Sequence, residues 1–149
     1  MIKDVSINSL RTIPDERGSI KHMLKCTDEV FTKFGEVYFS TCYPKVIKGW
    51  HEHTKQTQNY CVIKGMIKLV LFDNRKKSDT YKELNEFFIG DKNYSLVTIP
   101  PGIIMGYKNI CTEEVILANC SDLPHEPGEM IRYNPSDSFI SYSWDLVNR

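Results

Sequence analysis

Apolar and polar residues alternate, or run together briefly, in a series of short segments: 35–43, 58–64, 66–72, 83–89, 94–99 and 115–118. These segments are rich in valine, isoleucine, tyrosine and phenylalanine, the side chains that fit a pleated, half-buried surface. Between them fall Lys64-Gly65, Phe72-Asp73-Asn74, Ile89-Gly90-Asp91 and Pro100-Pro101-Gly102, all of which suit turns. Helical spacing occurs only across 25–33, and that stretch is short. The pattern predicts an all-β, mostly antiparallel protein, rolled into a jelly-roll barrel rather than laid out as a flat sandwich. The aromatic tail, Tyr133, Phe139, Tyr142 and Trp144, is expected to cover a barrel edge or a subunit interface; a stacking platform for a base is the alternative.

At 149 residues the chain is expected to form a single domain spanning 1–149, one that buries ~68–70% of its unfolded surface without staples. Nineteen basic and nineteen acidic side chains cancel, so no global field attracts nucleic acid or an anionic membrane, and an anionic ligand has to be caught locally. The five cysteines are odd in number and lack the paired spacing of a structural zinc site. Cys42, Cys61 and Cys120 lie in apolar runs and read as small buried hydrophobes. No apolar leader opens the sequence and no run approaches a membrane span, so the expected location is the reducing cytoplasm.

Two segments carry chemistry. In Gly49-Trp50-His51-Glu52-His53, followed by Gln58 and Gly65, the two histidines are two residues apart and so share one face of a strand. The second segment runs from Pro100-Pro101-Gly102 through Met105 and Gly106-Tyr107 to Asn109. Together they resemble the two sequence motifs of the cupins, with Gln58 where the first motif carries glutamate and Met105 where the second carries histidine. The resemblance implies a cupin jelly-roll β-barrel with His51 and His53 facing its lumen. A metal would have to be held by His51, His53, Gln58 and Met105, a set with no anionic ligand and one soft thioether, which suits iron, manganese or zinc poorly. We therefore expect no metal and no cofactor.

Asp15-Glu16-Arg17-Gly18, Lys48-Gly49-Trp50-His51, the run from Gly65 to Asp73-Asn74-Arg75 with Ser78 and Thr80, and Ile99-Pro100-Pro101-Gly102 with Gly106-Tyr107 follow one another in order. In that order they resemble the dTDP-4-dehydrorhamnose 3,5-epimerase family. One segment, Lys48-Gly49-Trp50-His51-Glu52-His53 with Gln58, also resembles the sugar-nucleotide 3,4-ketoisomerases. The resemblance implies a metal-free homodimer that acts on a nucleotide-linked 4-keto-6-deoxy sugar in bacterial cell-surface polysaccharide synthesis, O-antigen or capsule. It also implies His51 as the general base and Arg17 and Lys48 as ligands of the diphosphate. Neutral imidazole suits proton abstraction near neutrality, and guanidinium and ammonium groups suit phosphate oxygens.

Several readings stay open. Arg17 is either a phosphate ligand or a plain turn residue; His53 is either a hydrogen-bonded pocket residue or a second acid–base group; Arg75 reads as structural, paired with Asp73. Gln58, Tyr60 and Tyr107 join His53 as expected substrate-binding residues, with Tyr60, Tyr107 and Tyr142 as conceivable acids. The resemblance leads one to expect a lysine at Gln58, a histidine at Met105, an acid tyrosine on the strand that here reads Val115-Ile116-Leu117-Ala118-Asn119, and an aspartate beyond Arg149 that orients the base. Losing one donor to a developing oxyanion typically costs ~2.7–4 kcal/mol, so these replacements leave three functions in view: a 3,5-type epimerase, a 3,4-ketoisomerase that shuttles a proton between His51 and His53, and a non-catalytic sugar-nucleotide-binding cupin.

Overall fold

The computed structural model describes residues 1–134 and 139–146. Twelve strands follow one another: β1 (Ser6–Ser9), β2 (Thr12–Asp15), β3 (Gly18–Lys21), β4 (Glu36–Cys42), β5 (Ile47–His53), β6 (Gln58–Lys64), β7 (Met66–Asp73), β8 (Leu84–Gly90), β9 (Ser95–Ile99), β10 (Ile103–Asn109), β11 (Val115–Ser121) and β12 (Met130–Arg132). They form two five-stranded antiparallel sheets, β1-β9-β6-β11-β4 and β12-β5-β10-β7-β8, while β2 and β3 make a separate hairpin. This is the all-β cupin jelly roll expected from the sequence. Among the described strands the two sheets face one another without a hydrogen-bonded strand pair joining them.

The main core lies between the sheets. Ile67, Leu69 and Leu71 of β7 point into it, together with Ile89, Val97, Ile99, Ile103 and Leu117. The alternate β7 residues Val70 and Phe72 point outward, yet they are buried as well, because they join Trp50, Ile104, Ile140 and Trp144 in a second cluster. A strand covered on both faces shows no polar alternation, which is why β7 reads as one apolar run. The tail thus covers the outer face of the second sheet rather than an edge. Trp50 meets Trp144 at 5.0 Å and Tyr142 at 5.9 Å between ring centroids, and Phe139 lies edge-on to Phe72.

The helical spacing at 25–33 does not become a helix; the segment folds as turns. The Asp28 carboxylate accepts the Lys25 amide at 2.8 Å, and the Asp28 and Phe31 amides reach back three residues to the Lys25 and Asp28 carbonyls. An aspartate that takes up backbone donors competes with helix propagation. The expected turn at Lys64-Gly65 is present, with Gly65 at φ +85°, and the Gly65 amide donates to Asp91. Arg75 is structural, as read from the sequence: it pairs with Asp73 and Asp4 and donates to the Lys3 carbonyl. Cys42, Cys61 and Cys120 are buried, and all five cysteines are unpaired.

The placement of the histidines depends on how closely β5 and β10 approach. A Cβ on Gly49 would meet the Gly106 Cα at 2.9 Å, and one on Gly106 would meet the Trp50 ring at 2.8 Å. Between Met105, which faces His51, and Tyr107, which faces Lys48, the register slips by a bulge. A bulge of this kind re-aims the side chains beside it.

Candidate active site

Alternation along β5 sorts its side chains. Trp50 faces the tail, and Glu52 on the same outer face accepts hydrogen bonds from Asn74 and from the Tyr133 hydroxyl. His51 and His53 turn the other way, onto the wall of a cavity of about 700 Å³, within the range of small-molecule sites. Their rings lie 5.7 Å apart at 89°. The opposing sheet supplies Tyr38 and Ser40 from β4, Tyr60 from β6 and Leu117 from β11; Lys48, Tyr107, His125, Arg132 and Tyr133 also line the cavity.

His51 Nε2 lies 3.3 Å from the Tyr60 hydroxyl. Burial, then His53 and then Arg132 pull the His51 pKa down to about 4, so the ring is neutral at neutral pH and offers a lone pair rather than a charge. Burial first, then Tyr38 and Tyr107, raise Tyr60 well above its ordinary value and keep its hydroxyl protonated. Burial, opposed by the Ser40 hydroxyl, pushes Tyr107 up to about 12. Lys48 Nζ donates to Ser40 Oγ at 3.0 Å, and Ser40 meets the Tyr107 hydroxyl at 3.0 Å, so the ammonium is tethered at the cavity.

β12 pairs alongside β5, with Met130 opposite His53 and Arg132 opposite His51. Two consequences were absent from the sequence reading. Arg132 becomes a second cation on the wall, and Glu129, just before β12, meets His53 Nδ1 at 2.7 Å.

The structure thus brings His51, His53, Lys48, Tyr60 and Tyr107 together. Gln58 is not on the wall. It is fully buried behind it, donating to Gln56 and accepting from Asn119, and Gln56 takes the place on the wall expected for it. Arg17 is also elsewhere: on the tip of the β2–β3 hairpin, with its side chain 84% exposed and paired with Asp15. Tyr142 is on the far side of the second sheet, bonded to Glu86. Met105 is in the core between the sheets. Among the described residues no three His, Cys, Asp or Glu side chains converge as metal ligands, and with Gln58 and Met105 turned to other partners the four cupin positions do not form a ligand set.

The sequence matches the family model for dTDP-4-dehydrorhamnose 3,5-epimerase over residues 1–149. The chain belongs to this family. It is 38% identical to a dTDP sugar isomerase from Desulfovibrio desulfuricans, whose crystal structure superposes with a TM-score of 0.94 over 96% of this chain and 92% of that one. A spore coat polysaccharide biosynthesis protein of Bacillus subtilis is 28% identical over the full length of both chains. A probable low-salt glycan biosynthesis epimerase of Haloferax volcanii is 32% identical over 79% of this chain and 77% of its own.

Proposed function

We propose that the protein isomerises a nucleotide-linked 4-keto-6-deoxyhexose by abstracting a proton next to the ketone, in the manner of a 3,5-epimerase, with His51 as the general base. The observation that carries this reading is the neutral His51 imidazole on the wall of a cavity sized for a sugar, with Tyr60 and Tyr38 contributed by the opposing sheet. A base on one sheet and the Tyr38 hydroxyl on the other suit removal and return of a proton on opposite faces of a sugar ring, while Tyr60, 3.3 Å from His51 Nε2, orients the base. The reaction moves a proton and no net electrons, so it needs no cofactor. Lys48 and Arg132 are the cations placed to hold the diphosphate.

A single cupin domain assembled as a cytoplasmic homodimer fits the remaining features. Val37 and Phe39 on β4, and Tyr43 just beyond it, are 48%, 65% and 69% exposed on an edge strand, a surface that a second copy would cover. Arg17 enters the proposal through that second copy, because it is off the wall of its own cavity. Five unpaired thiols suit a reducing compartment, and no described helix is long and apolar enough to cross a membrane. The named roles of the Bacillus and Haloferax relatives point to cell-surface polysaccharide synthesis.

One observation favours a second reading. His51 and His53 are neighbours on one strand face, and two bases on the same side of a ring suit proton transfer between adjacent carbons, which is 3,4-ketoisomerisation.

Incubation with a nucleotide-linked 4-keto-6-deoxyhexose in heavy water separates these readings. Deuterium at ring carbon 3 or 5 is expected for the epimerase; a ketone relocated to carbon 3 marks the ketoisomerase. Neither change would leave a binding protein. His51→Asn is expected to lose ~10²–10⁴-fold in rate, and an unimpaired variant rules His51 out as the base.

A further inference from the structure

The two cations on the cavity wall stand at different distances from the base. β12 runs antiparallel beside β5 with Met130 opposite His53 and Arg132 opposite His51; both Met130 and Arg132 line the cavity, while Ile131 between them is half exposed and does not. Side chains directly opposite on one face of an antiparallel pair leave the backbone about 4.5–5.5 Å apart at Cβ, so the guanidinium is a neighbour of the imidazole. Lys48 lies three residues back along β5, roughly 10 Å from His51 on an extended strand, and its ammonium is tethered to Ser40. Among the described residues the Arg132 side chain has no hydrogen-bond or ion-pair partner.

A cation beside a base is a cost by itself. Arg132 adds to burial and to His53 in holding His51 down to about 4. A base that weak leaves much of the barrier to be lowered at the other end of the proton transfer, where negative charge develops on the ketone oxygen. Neutral groups nearby are committed elsewhere: Tyr60 to His51, Tyr107 to Ser40, and Gln58 to Gln56 and Asn119 behind the wall. The carbon that gives up its proton has to lie within hydrogen-bonding reach of the His51 ring. The ketone oxygen is carried by the adjacent carbon and so falls beside His51 as well, where Arg132 stands. The diphosphate is joined to carbon 1, across the sugar ring from a ketone at carbon 4, and that far end matches Lys48.

We propose that Arg132 is a catalytic residue of the isomerisation: its guanidinium donates to the ketone oxygen and holds the enolate formed when His51 takes the proton, leaving the diphosphate to Lys48. The proposal rests on the isomerase reading and deepens it, sorting the two wall cations by task. The C–H bond beside the ketone breaks and its proton goes to His51. Its electron pair forms the carbon–carbon double bond as the carbonyl π pair moves onto oxygen. Reprotonation of the same carbon from the Tyr38 side restores the ketone and inverts the centre; His51 then gives its proton to solvent and Tyr38 recovers one, so nothing is oxidised or reduced. The enolate also offsets the repulsion between the His51 imidazolium and the guanidinium at the moment that repulsion arises.

The test follows exchange of each ring hydrogen of a nucleotide-linked 4-keto-6-deoxyhexose in heavy water for wild type, Arg132→Lys and Arg132→Gln. It reads kcat, KM and the pH dependence of kcat/KM, with affinity for a free nucleoside diphosphate measured alongside. Arg132→Gln is expected to lose ~10²–10³-fold in kcat, the usual effect of removing one donor to a developing oxyanion, with diphosphate affinity within a few-fold of wild type. Arg132→Lys should retain part of kcat. In Arg132→Gln the acid limb should move to higher pH, because His51 has lost one of the charges that hold it down, and in Arg132→Lys it should stay near wild type. The other groups around that ring are His53 on β5, Tyr60 on β6 and the uncharged Met105 opposite it on β10. Weaker diphosphate binding with unchanged kcat would make Arg132 a phosphate ligand only; that result, or no change in either quantity, overturns the proposal and leaves the isomerase reading standing. Absence of exchange in wild type overturns both. Should Arg132→Gln fail to fold, Arg132→Lys decides by the same split: a lowered kcat with diphosphate affinity retained supports the proposal, and an unchanged kcat overturns it.

Discussion

His51 sits where a positive charge is unwelcome, and this has a consequence for stability as well as for chemistry. Its folded pKa of about 4 lies below the ordinary 6.5. As pH falls below about 6.5 the unfolded chain takes up a proton that the folded protein refuses, so stability is lost down to about pH 4 and then levels. The slope is at most roughly 1.4 kcal/mol per pH unit in that window. Urea unfolding of wild type and His51→Gln between pH 7 and 4 checks this: the variant should lose that part of the decline, and parallel curves would place the acid sensitivity elsewhere. The same desolvation that weakens the folded state in acid keeps the lone pair available at neutral pH, so the stability cost and the proposed role as base have one physical source.

At the scale of elements, the β5–β10 contact positions both histidines. Gly49 and Gly106 allow the backbones to close, and the Trp50 ring fills the space a Gly106 side chain would need. Gly106→Ala is expected to cost ~1–3 kcal/mol through overpacking and to reduce isomerisation by disturbing the strand that carries His51. An unchanged urea midpoint would show that the sheet parts there without penalty. The 25–33 segment teaches the converse lesson: its helical spacing was real, but Asp28 side-chain bonding and its short length decided for turns.

For the whole molecule, the exposed apolar face of β4 and its flank predicts association. Wild type is expected to sediment as a dimer and Phe39→Glu to shift towards monomer, since burying a charge in an apolar contact is costly. If Arg17 serves the diphosphate of the partner copy, the monomer should also bind a nucleoside diphosphate more weakly. A wild-type protein that sediments as a monomer at all concentrations would remove both the dimer and that role for Arg17.

The alternation of apolar residues, the turn chemistry at Gly65 and Gly102, and the two-residue spacing of His51 and His53 were enough to specify an all-β jelly roll with both imidazoles on one face, because each depends on neighbours in the chain. Glu129 beside His53, Arg132 beside His51, Tyr38 across from them and the displacement of Gln58 behind the wall depended on which strands lie side by side and which sheets face one another. Such pairings join residues tens of positions apart, and no local period records them. The long-range register of β12 against β5, set only when the chain packs, decided which carboxylate meets which histidine.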